Sequence, residues 1–338
     1  MLVVNTDGPV TLVEVARAAG VSKTTASDAL RNSGRVSERT RKLVTSTATR
    51  LGYSPNASAQ SLRRASTGAI GLHVPEVLTR SEYYMSFVFG VVDQAAERNY
   101  DVTLITSKHV PAPGAFHRVD GIVLGDPLET DPVVRGLLGA AVPTVTCERF
   151  TGEAVPSGVV RSDHAALLER LLAHLRSAGA RRPALLASSS TTDWGNRLQQ
   201  TFRAWCGERD LPVLMREQAF GSSAEVVRDN VRALLAADPA IDALVCAPDG
   251  SAVAALPVLR EAGREVGGDL LLAACVDSSP LLHSDPPITA IDLHPRAAGA
   301  ACAQLLFDLL AGKAPEGTER SLPIGLVERR STTRSSTF

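Results

Sequence analysis

The sequence predicts an α/β protein with a small all-helical head at its N-terminus, and three observations support this fold class. Residues 1–66 carry a net charge of +6, whereas the rest of the chain carries −7. The head shows helical periodicity, whereas short apolar runs alternate with helical patterns from Ala69 onward. The 338 residues are enough for two or three domains with separate cores.

The head begins with two short predicted helices joined by a tight turn at Gly20. Thr11 caps the first helix in this prediction, with Glu14 three residues later as in a capping box. Ser22 caps the second helix, which covers about residues 23–30. This pattern is typical of a helix-turn-helix, a motif that lays its second helix in the DNA major groove. The basic charge of the head supports the same interpretation, because it suits a polyanion.

Helical spacing separates the two faces of these helices and of a third helix that Ser37 caps. We expect the outward face of the second helix to carry Lys23, Thr24, Ser27 and Asp28. Small inward residues would let the helices cross closely. The predicted buried set is Val13, Val15, Ala16, Ala19, Ala26, Ala29, Leu30, Val36, Thr40, Leu43, Val44, Thr47 and Leu51.

A separate short segment, residues 55–64, follows the head. It can form a helix but is too short and too poor in apolar residues to be stable alone, since Leu62 is its only large apolar side chain. Residues 65–68 then form a predicted flexible link.

Several motifs occur in one order over residues 10–72: A-x-x-A-G-V-S-x-x-T-x-S, V-S-x-x-T-R, L-G-Y-x-P-N, A-x-S-L-R and I-G-L. In this order and spacing the chain resembles the lactose/galactose-repressor family of bacterial transcription regulators. The resemblance implies that Lys23, Thr24 and Asp28 contact base edges, and that residues 57–64, including Ala59, form a hinge helix that wedges Leu62 into a minor-groove step. The phosphate contacts that it implies are Thr11, Ser22, Thr25, Ser27 and Asn56.

Asp28 departs from the family, which usually has Arg at this position. A carboxylate cannot make the bidentate contact to guanine. It can accept a hydrogen bond from cytosine N4, or it can pair with Arg31 or Arg35. The operator sequence therefore cannot be inferred from the family.

The remaining chain predicts parallel sheets built from β-α-β units, with binding loops at the carboxyl ends of the strands. The resemblance implies a two-lobed body similar to periplasmic sugar-binding proteins.

The predicted domains are a head over 1–56, a hinge and linker over 57–68, a body over 69–330 and a tail over 331–338. Within the body we expect lobe 1 at about 69–160 and 292–322, and lobe 2 at about 161–291 and 323–330. Residues 107–118 make an unusually short connection, which leaves one flank of lobe 1 uncovered or covered by a partner subunit.

The same resemblance implies an effector pocket between the lobes. The candidate residues are Tyr83, Tyr84, Trp194, Arg197, Asp249 and Asp277. Two departures matter here: Pro248 stands where the family usually has Asn, and Leu198 stands where it usually has a pocket Arg. A sugar is therefore one candidate for the effector rather than a conclusion.

Other function classes find little support. We expect no metal site and no cofactor, because the five cysteines are far apart and form no C-x-x-C. No nucleophile or acid–base motif points to an enzyme. No apolar run or export signal points to a membrane or to secretion, so we expect a cytoplasmic protein. The expected function is a homodimeric regulator that binds a palindromic double-stranded DNA operator under effector control. The alternative is a cytoplasmic solute-binding protein without regulatory DNA binding.

Overall fold

The structure is a computed structural model that describes residues 10–53, 66–75, 81–106, 118–219 and 221–333. Its contacts divide the chain into two compact units, residues 1–67 and 68–338. Each unit is described by itself below. In the described part of the chain, no helix combines the length and apolarity needed to cross a membrane.

The first unit, the head, contains three helices: α1 (Leu12–Ala18), α2 (Lys23–Leu30) and α3 (Glu38–Leu51). Thr11, Ser22 and Ser37 cap them as predicted. The small core contains Val15, Ala16, Ala19, Ala26, Ala29, Val44 and Ala48.

Two residues predicted to lie in the head's core are exposed instead. Val13 is 45% exposed and Leu43 is 49% exposed. The buried stripe of α3 is Val44, Thr47 and Ala48, so the helix is rotated relative to the prediction. Leu43 lies one residue from this stripe, about 100° around the helix, and faces solvent for that reason.

The second unit begins with a six-stranded sheet in the order β11-β5-β4-β3-β1-β2, in which every pairing is parallel. Its strands are β1 (Ala69–His73), β2 (Asp101–Ile105), β3 (Ile122–Gly125), β4 (Thr144–Cys147), β5 (Gly158–Arg161) and β11 (Thr318–Ser321). Its helices are α4 (Glu82–Ala96), α5 (Pro132–Leu138) and α11 (Pro295–Leu310). This sheet and these helices form lobe 1.

A second six-stranded sheet has the order β12-β10-β9-β8-β6-β7 and is parallel except where β12 pairs with β10. Its strands are β6 (Pro183–Ser188), β7 (Leu214–Gln218), β8 (Ala243–Cys246), β9 (Leu271–Ala274), β10 (Thr289–Asp292) and β12 (Gly325–Val327). Its helices are α6 (His164–Ser177), α7 (Asp193–Gly207), α8 (Ala224–Ala237), α9 (Ser251–Glu261) and the short α10 (Ser279–Leu282). These elements form lobe 2.

The chain passes between the lobes at three places: after β5, between β10 and α11, and between β11 and β12. The sequence predicts strands of the body at 69–74, 102–106, 121–124, 142–147, 184–187, 243–247, 270–274 and 288–291, and helices near 84–98, 164–178, 195–209, 223–236, 251–262 and 295–310. All of them are present, with ends shifted by at most two residues. Sequence patterning missed α5, α10, β5, β7, β11 and β12, which are short or lie among polar residues. All five cysteines are buried free thiols, as expected.

Helices α4 and α11 of lobe 1 cross very closely, and two glycines permit this approach. A Cβ at Gly90 would collide with the carbonyl oxygen of Arg296, and a Cβ at Gly299 with that of Phe87. The crossing fixes the position of α4, whose first turn carries Tyr83 and Tyr84. It therefore supports one wall of the cavity described below.

The predicted tail begins two residues too early. Ser331 and Thr332 are buried in lobe 2 and belong to a short 3-10 helix. Ser331 Oγ donates to the carbonyl of Leu272 at 2.6 Å, and Thr289 N donates to Ser331 Oγ at 2.9 Å. These hydrogen bonds tie the segment to β9 and β10. Residues 334–338 lie outside the described residues, as do 107–117 of the short connection.

Candidate DNA-binding and effector sites

Local hydrogen bonds start α1 and α2 and hold the turn between them, in which Val21 N donates to the carbonyl of Ala16 at 3.0 Å. Thr11 N donates to Glu14 Oε2 at 2.7 Å, and this bond holds the pKa of the Glu14 carboxyl below its usual value. Gly20 has a φ of +67°, in the left-handed region that glycine favours. Ser22 Oγ then accepts from Thr25 N at 3.0 Å and starts α2. The exposed face of α2 is therefore fixed with respect to α1.

That face presents polar side chains around a shallow recess. Lys23 and Thr24 are exposed and Ser27 is half-buried, and all three line the recess beside Leu12 and Arg31. The inward residues Ala26 and Ala29 are 0% and 3% exposed, which places the helix close to its neighbours. An α-helix exposed in this way can enter a major groove.

Asp28 pairs within its own helix. Arg31 Nη2 lies 2.8 Å from Asp28 Oδ1, and Arg31 Nε donates to the carbonyl of Ser27 at 3.2 Å. Of the two partners weighed for Asp28, the structure favours Arg31 over Arg35. The pair holds a guanidinium in the lining of the same recess as Lys23.

The other predicted DNA contacts fall into two groups. Thr11, Ser22 and Thr25 lie at the first turns of α1 and α2, with their hydroxyls engaged in the caps. Asn56, Ala59 and Leu62 lie outside the described residues, together with the rest of the predicted hinge. The contacts of all these residues with DNA stay predictions.

The body contains a partly open cavity between its two lobes. Its lining comes from the carboxyl ends of strands in both sheets and from the starts of α4, α6 and α7, which is where open parallel sheets bind ligands. The lining residues are Ser81, Tyr83, Tyr84, Asp126, Glu148, His164, Thr192, Trp194, Asp249, Val276 and Leu293.

Two of these carboxylates sit directly after strands of lobe 1. Asp126 follows β3 with a φ of +43°, and Glu148 follows β4 with a φ of +66°. Non-glycine residues in this region are uncommon and often accompany functional sites. The backbone turns at both positions and directs the two carboxylates into the cavity lining.

The polar atoms of the cavity are only partly satisfied. Glu148 Oε1 accepts from Ser162 N at 3.1 Å, whereas the buried Glu148 Oε2 has no hydrogen-bond partner. His164 Nε2 lies 2.9 Å from Glu148 Oε1 without hydrogen-bond geometry, and it too has no partner. The buried Trp194 Nε1 also has no hydrogen-bond partner.

Burial and the nearby Glu148 charge raise the pKa of Asp126 to about 6, although the Tyr84 hydroxyl donates to its Oδ2 and lowers it. Burial likewise raises the pKa values of Tyr83 and Tyr84, whose rings meet edge to face with centroids 4.8 Å apart. The cavity is therefore an environment in which uncompensated negative charge is costly.

Two contacts join the lobes at the rim of the cavity. Ser81 Oγ donates to Asp249 Oδ2 at 2.6 Å, and Ser279 N donates to Glu82 Oε2 at 2.9 Å. Both connect the first turn of α4 to loops of lobe 2. A ligand that displaces or completes these contacts would change the relation between the lobes.

The structure brings together four of the six predicted effector residues, Tyr83, Tyr84, Trp194 and Asp249, and leaves out two. Arg197 Nε pairs with Asp193 Oδ2 at 2.6 Å. Asp277 binds the Arg329 guanidinium through both carboxylate oxygens at 2.7 Å. Neither side chain is part of the cavity lining, because each is held by its ion-pair partner.

The prediction missed Asp126, Glu148 and His164, although a signal for two of them was present. Asp126 and Glu148 come directly after apolar strands, at the ends where parallel sheets place ligand-binding groups. His164 begins α6, and only the fold shows that this helix starts at the cavity.

Comparison with known proteins follows this division of the chain. Residues 11–56 match the lacI family of bacterial regulatory proteins, and residues 172–332 match the periplasmic binding protein-like domain. The chain is 31% identical to the HTH-type transcriptional regulator CelR of Thermobifida fusca in an alignment 338 positions long, gaps included, that covers 95% of this chain and 98% of that protein.

Two solved structures share the fold over nearly the whole chain. A lac repressor dimer bound to operator and an anti-inducer superposes with a TM-score of 0.84 at 24% identity, over 96% of this chain and 100% of that one. A complex of the regulator CelR with cellobiose superposes with a TM-score of 0.72 at 28% identity, over 95% of this chain and 99% of that one. The chain belongs to the lacI family of bacterial regulatory proteins and is a DNA-binding transcriptional regulator.

Proposed function

We propose that this regulator binds a palindromic operator as a homodimer and that a small molecule in the cavity between the lobes controls its operator affinity. One observation carries the proposal: the cavity is lined from both lobes, and the contacts that join the lobes lie at its rim. A ligand in this position interacts differently with open and closed lobes, and so shifts the population of the form that binds DNA.

The proposed DNA contacts are those of the exposed face of α2 and its caps. Lys23, Thr24 and Asp28 are proposed to face base edges, with Asp28 acting at least in part through Arg31. Thr11, Ser22, Thr25, Ser27 and Asn56 are the proposed phosphate contacts. Leu62, with Ala59 in the same segment, is the proposed minor-groove wedge of a hinge between the head (1–56) and the body (69–330).

A stripe on α4 supports the homodimer. Met85, Phe89 and Val92 are 48%, 50% and 38% exposed and recur at the spacing of one helix face. The opposite face of α4 is buried in lobe 1 through Tyr84, Phe87 and Val91. Exposed apolar stripes of this kind are typical of subunit interfaces, and a two-fold dimer matches a palindromic site.

Three further parts of the proposal follow from the same arrangement. We infer that the protein is not an enzyme, since its relatives are regulators. We infer that it works in the cytoplasm, where its DNA lies. The alternative of a solute-binding protein without DNA binding is not favoured, because the head is a complete helix-turn-helix.

The proposal is tested by selecting bound DNA from random sequence and titrating the purified protein against the selected site. We expect a palindromic consensus, affinity that falls steeply with salt, and a shift in affinity with at least one metabolite. Leu62→Ala should weaken specific binding more than non-specific binding, by roughly a few kcal/mol at most. Selection of no palindrome, or salt-insensitive binding, would count against the proposal.

A further inference from the structure

We propose that the effector is a hydroxylated organic cation, with a protonated nitrogen that binds Glu148 and Asp126 and oxygen atoms that accept from Trp194. Amino sugars are the simplest members of this class. The inference rests on the proposed function of the cavity and names the class of its ligand.

The first support is the charge of the lining. Three carboxylates line the cavity, those of Asp126, Glu148 and Asp249, and none of the lining side chains in the described residues is Lys or Arg. Ser81 and Tyr84 donate neutral hydrogen bonds to two of these carboxylates, which leaves their charge in place.

The guanidinium groups near the cavity are already paired with other carboxylates. Arg197 pairs with Asp193, and Arg329 pairs with Asp277. Arg161, which lines a smaller adjoining recess, has its Nε 3.1 Å from Glu319 Oε2, and Arg149 shares this carboxylate with its Nη2 2.9 Å from the same oxygen. No described arginine therefore pairs with the three lining carboxylates. The basic group among the lining residues is the His164 imidazole, whose Nε2 lies 2.9 Å from Glu148 Oε1 without hydrogen-bond geometry and leaves Glu148 Oε2 unpartnered.

The second support is the unpartnered oxygen of Glu148. This side chain is 7% exposed, and its Oε2 is buried without a hydrogen-bond donor. Leaving a buried carboxylate oxygen unpaired is costly. A protonated amine offers a positive charge and up to three donors, whereas a neutral hydroxyl offers one donor and no charge. Burial raises the pKa of Asp126, and a cation beside this carboxylate would lower it again by stabilising the ionised form.

The third support concerns the rest of the ligand. Trp194 is 7% exposed, and its Nε1–H can only donate, so its missing partner is an acceptor. A hydroxyl or ring oxygen meets this need and an alkyl amine does not. Tyr83 and Tyr84 add aromatic rings to the lining, and an aromatic ring attracts a cation. An anionic sugar, whether phosphorylated or oxidised to an acid, would face three carboxylates.

The test compares matched ligands that differ in charge: glucosamine, glucose, N-acetylglucosamine and glucuronate, and the same four forms of galactose. Binding to the full-length protein is measured by thermal shift and calorimetry at pH 7.5. We expect at least one amine to bind on the order of tenfold more tightly than its neutral and acidic counterparts. Binding of a neutral sugar as tight as that of its amine, or failure of both amines to bind, would overturn the proposal.

Glu148→Gln keeps the size and the acceptor for Ser162 N but removes the charge. We expect it to weaken amine binding on the order of tenfold. The matched control is Glu153→Gln, the same change at an exposed position outside the cavity, which should leave binding unchanged. If Glu148→Gln does not fold, Asp126→Asn serves as the second variant. An unchanged affinity in the folded variant overturns the proposal.

Operator affinity, measured with and without each ligand, separates this inference from the proposed function. Amine binding that leaves operator affinity unchanged would refute effector control but keep the ligand class. Control of operator affinity by a neutral sugar alone would keep the proposed function and refute the ligand class.

Discussion

The exposed face of α2 and the cavity between the lobes differ in how their polar groups are satisfied. On α2, Lys23 and Thr24 face solvent and Asp28 is paired with Arg31 one turn away. In the cavity, Glu148 and Trp194 keep buried polar atoms without partners. Water can satisfy the polar groups of a surface until that surface binds a polyanion. In the cavity, buried polar atoms without partners raise the free energy of the protein, and a ligand that binds them removes this cost. The two sites should therefore respond differently to mutation.

Ala26→Leu should have the largest effect, and it should be confined to the head. Ala26 is fully buried where the small helices meet, and overpacking such a site costs about 1–3 kcal/mol. Among the described residues, the head core contains seven buried apolar side chains, so this cost is a large part of the head's stability.

We expect operator binding to fall at least tenfold while the melting transition of the body and its ligand binding stay unchanged. Calorimetry and gel shifts measure the two effects. Ala204→Leu, at an exposed position on α7, controls for the added bulk. Simultaneous loss of ligand binding would show that the two units do not fold independently.

Asp277→Ala should destabilise lobe 2 by about 1–3 kcal/mol, because the Arg329 guanidinium loses a partner that binds it through two oxygens. The side chains of Arg329 and Asp277 are only 12% and 19% exposed, so water replaces the lost bonds poorly. Denaturant unfolding measures the loss. Ligand affinity should stay within about twofold, since Asp277 does not line the cavity. A selective loss of ligand binding at full stability would instead place this residue in the effector site, as the sequence suggested.

Asp126→Asn should stabilise the unliganded protein above pH 6, by about 1–3 kcal/mol. The pKa of Asp126 is raised from 3.8 to about 6 in the folded protein, so folded chains bind the proton more tightly than unfolded ones. Stability is therefore lost as the pH rises from about 4 to about 6, and the variant avoids this loss. Asn keeps an acceptor for the Tyr84 hydroxyl.

The measurement is unfolding by urea at pH 4.5 and pH 7.5, with the groups that face Asp126, namely Tyr84, Glu148 and His164, left intact. The difference in free energy of unfolding between the variant and the parent should be small at pH 4.5 and larger at pH 7.5. Asp210→Asn, an exposed change of the same kind, should show no such pH dependence. A difference in free energy of unfolding that grows toward low pH would mean that folding lowers the pKa of Asp126, and it would contradict the raised pKa.

The two sites also differ in how far sequence alone could predict them. The head depends on interactions over three or four residues, such as the Thr11 and Ser22 caps, so local patterning predicted its helices and its exposed face. Local patterning wrongly predicted burial for Val13 and Leu43, because the face that a helix buries depends on tertiary packing. The cavity joins residues from Ser81 to Leu293, and no local pattern reports such distances.

Resemblance to a family predicted the aromatic residues and Asp249 of the cavity but could not show which charged residues were already paired. Arg197 and Asp277 have the residue types expected of a pocket, yet Asp193 and Arg329 hold them elsewhere. Conversely, Glu148 belongs to the cavity because the backbone turns after β4. Pairing and backbone direction are properties of the folded chain.

Asp28→Asn should have the smallest effect on stability, less than about 1 kcal/mol, because its ion pair with Arg31 is half exposed and spans three residues of one helix. Its effect on sequence preference should be clearer. In the parent, Asp28 holds the Arg31 guanidinium on the exposed face. In the variant, no carboxylate neutralises the Arg31 guanidinium, so it is free to bind phosphates and non-specific affinity should rise relative to specific affinity.

Selection from random DNA with the parent, Asp28→Asn and Arg31→Ala measures the change in sequence preference directly. A shared loss of preference at the same base pairs in both variants would show that Asp28 acts through Arg31. Loss in Asp28→Asn alone would show instead that the carboxylate itself contacts a base, as cytosine N4 would allow.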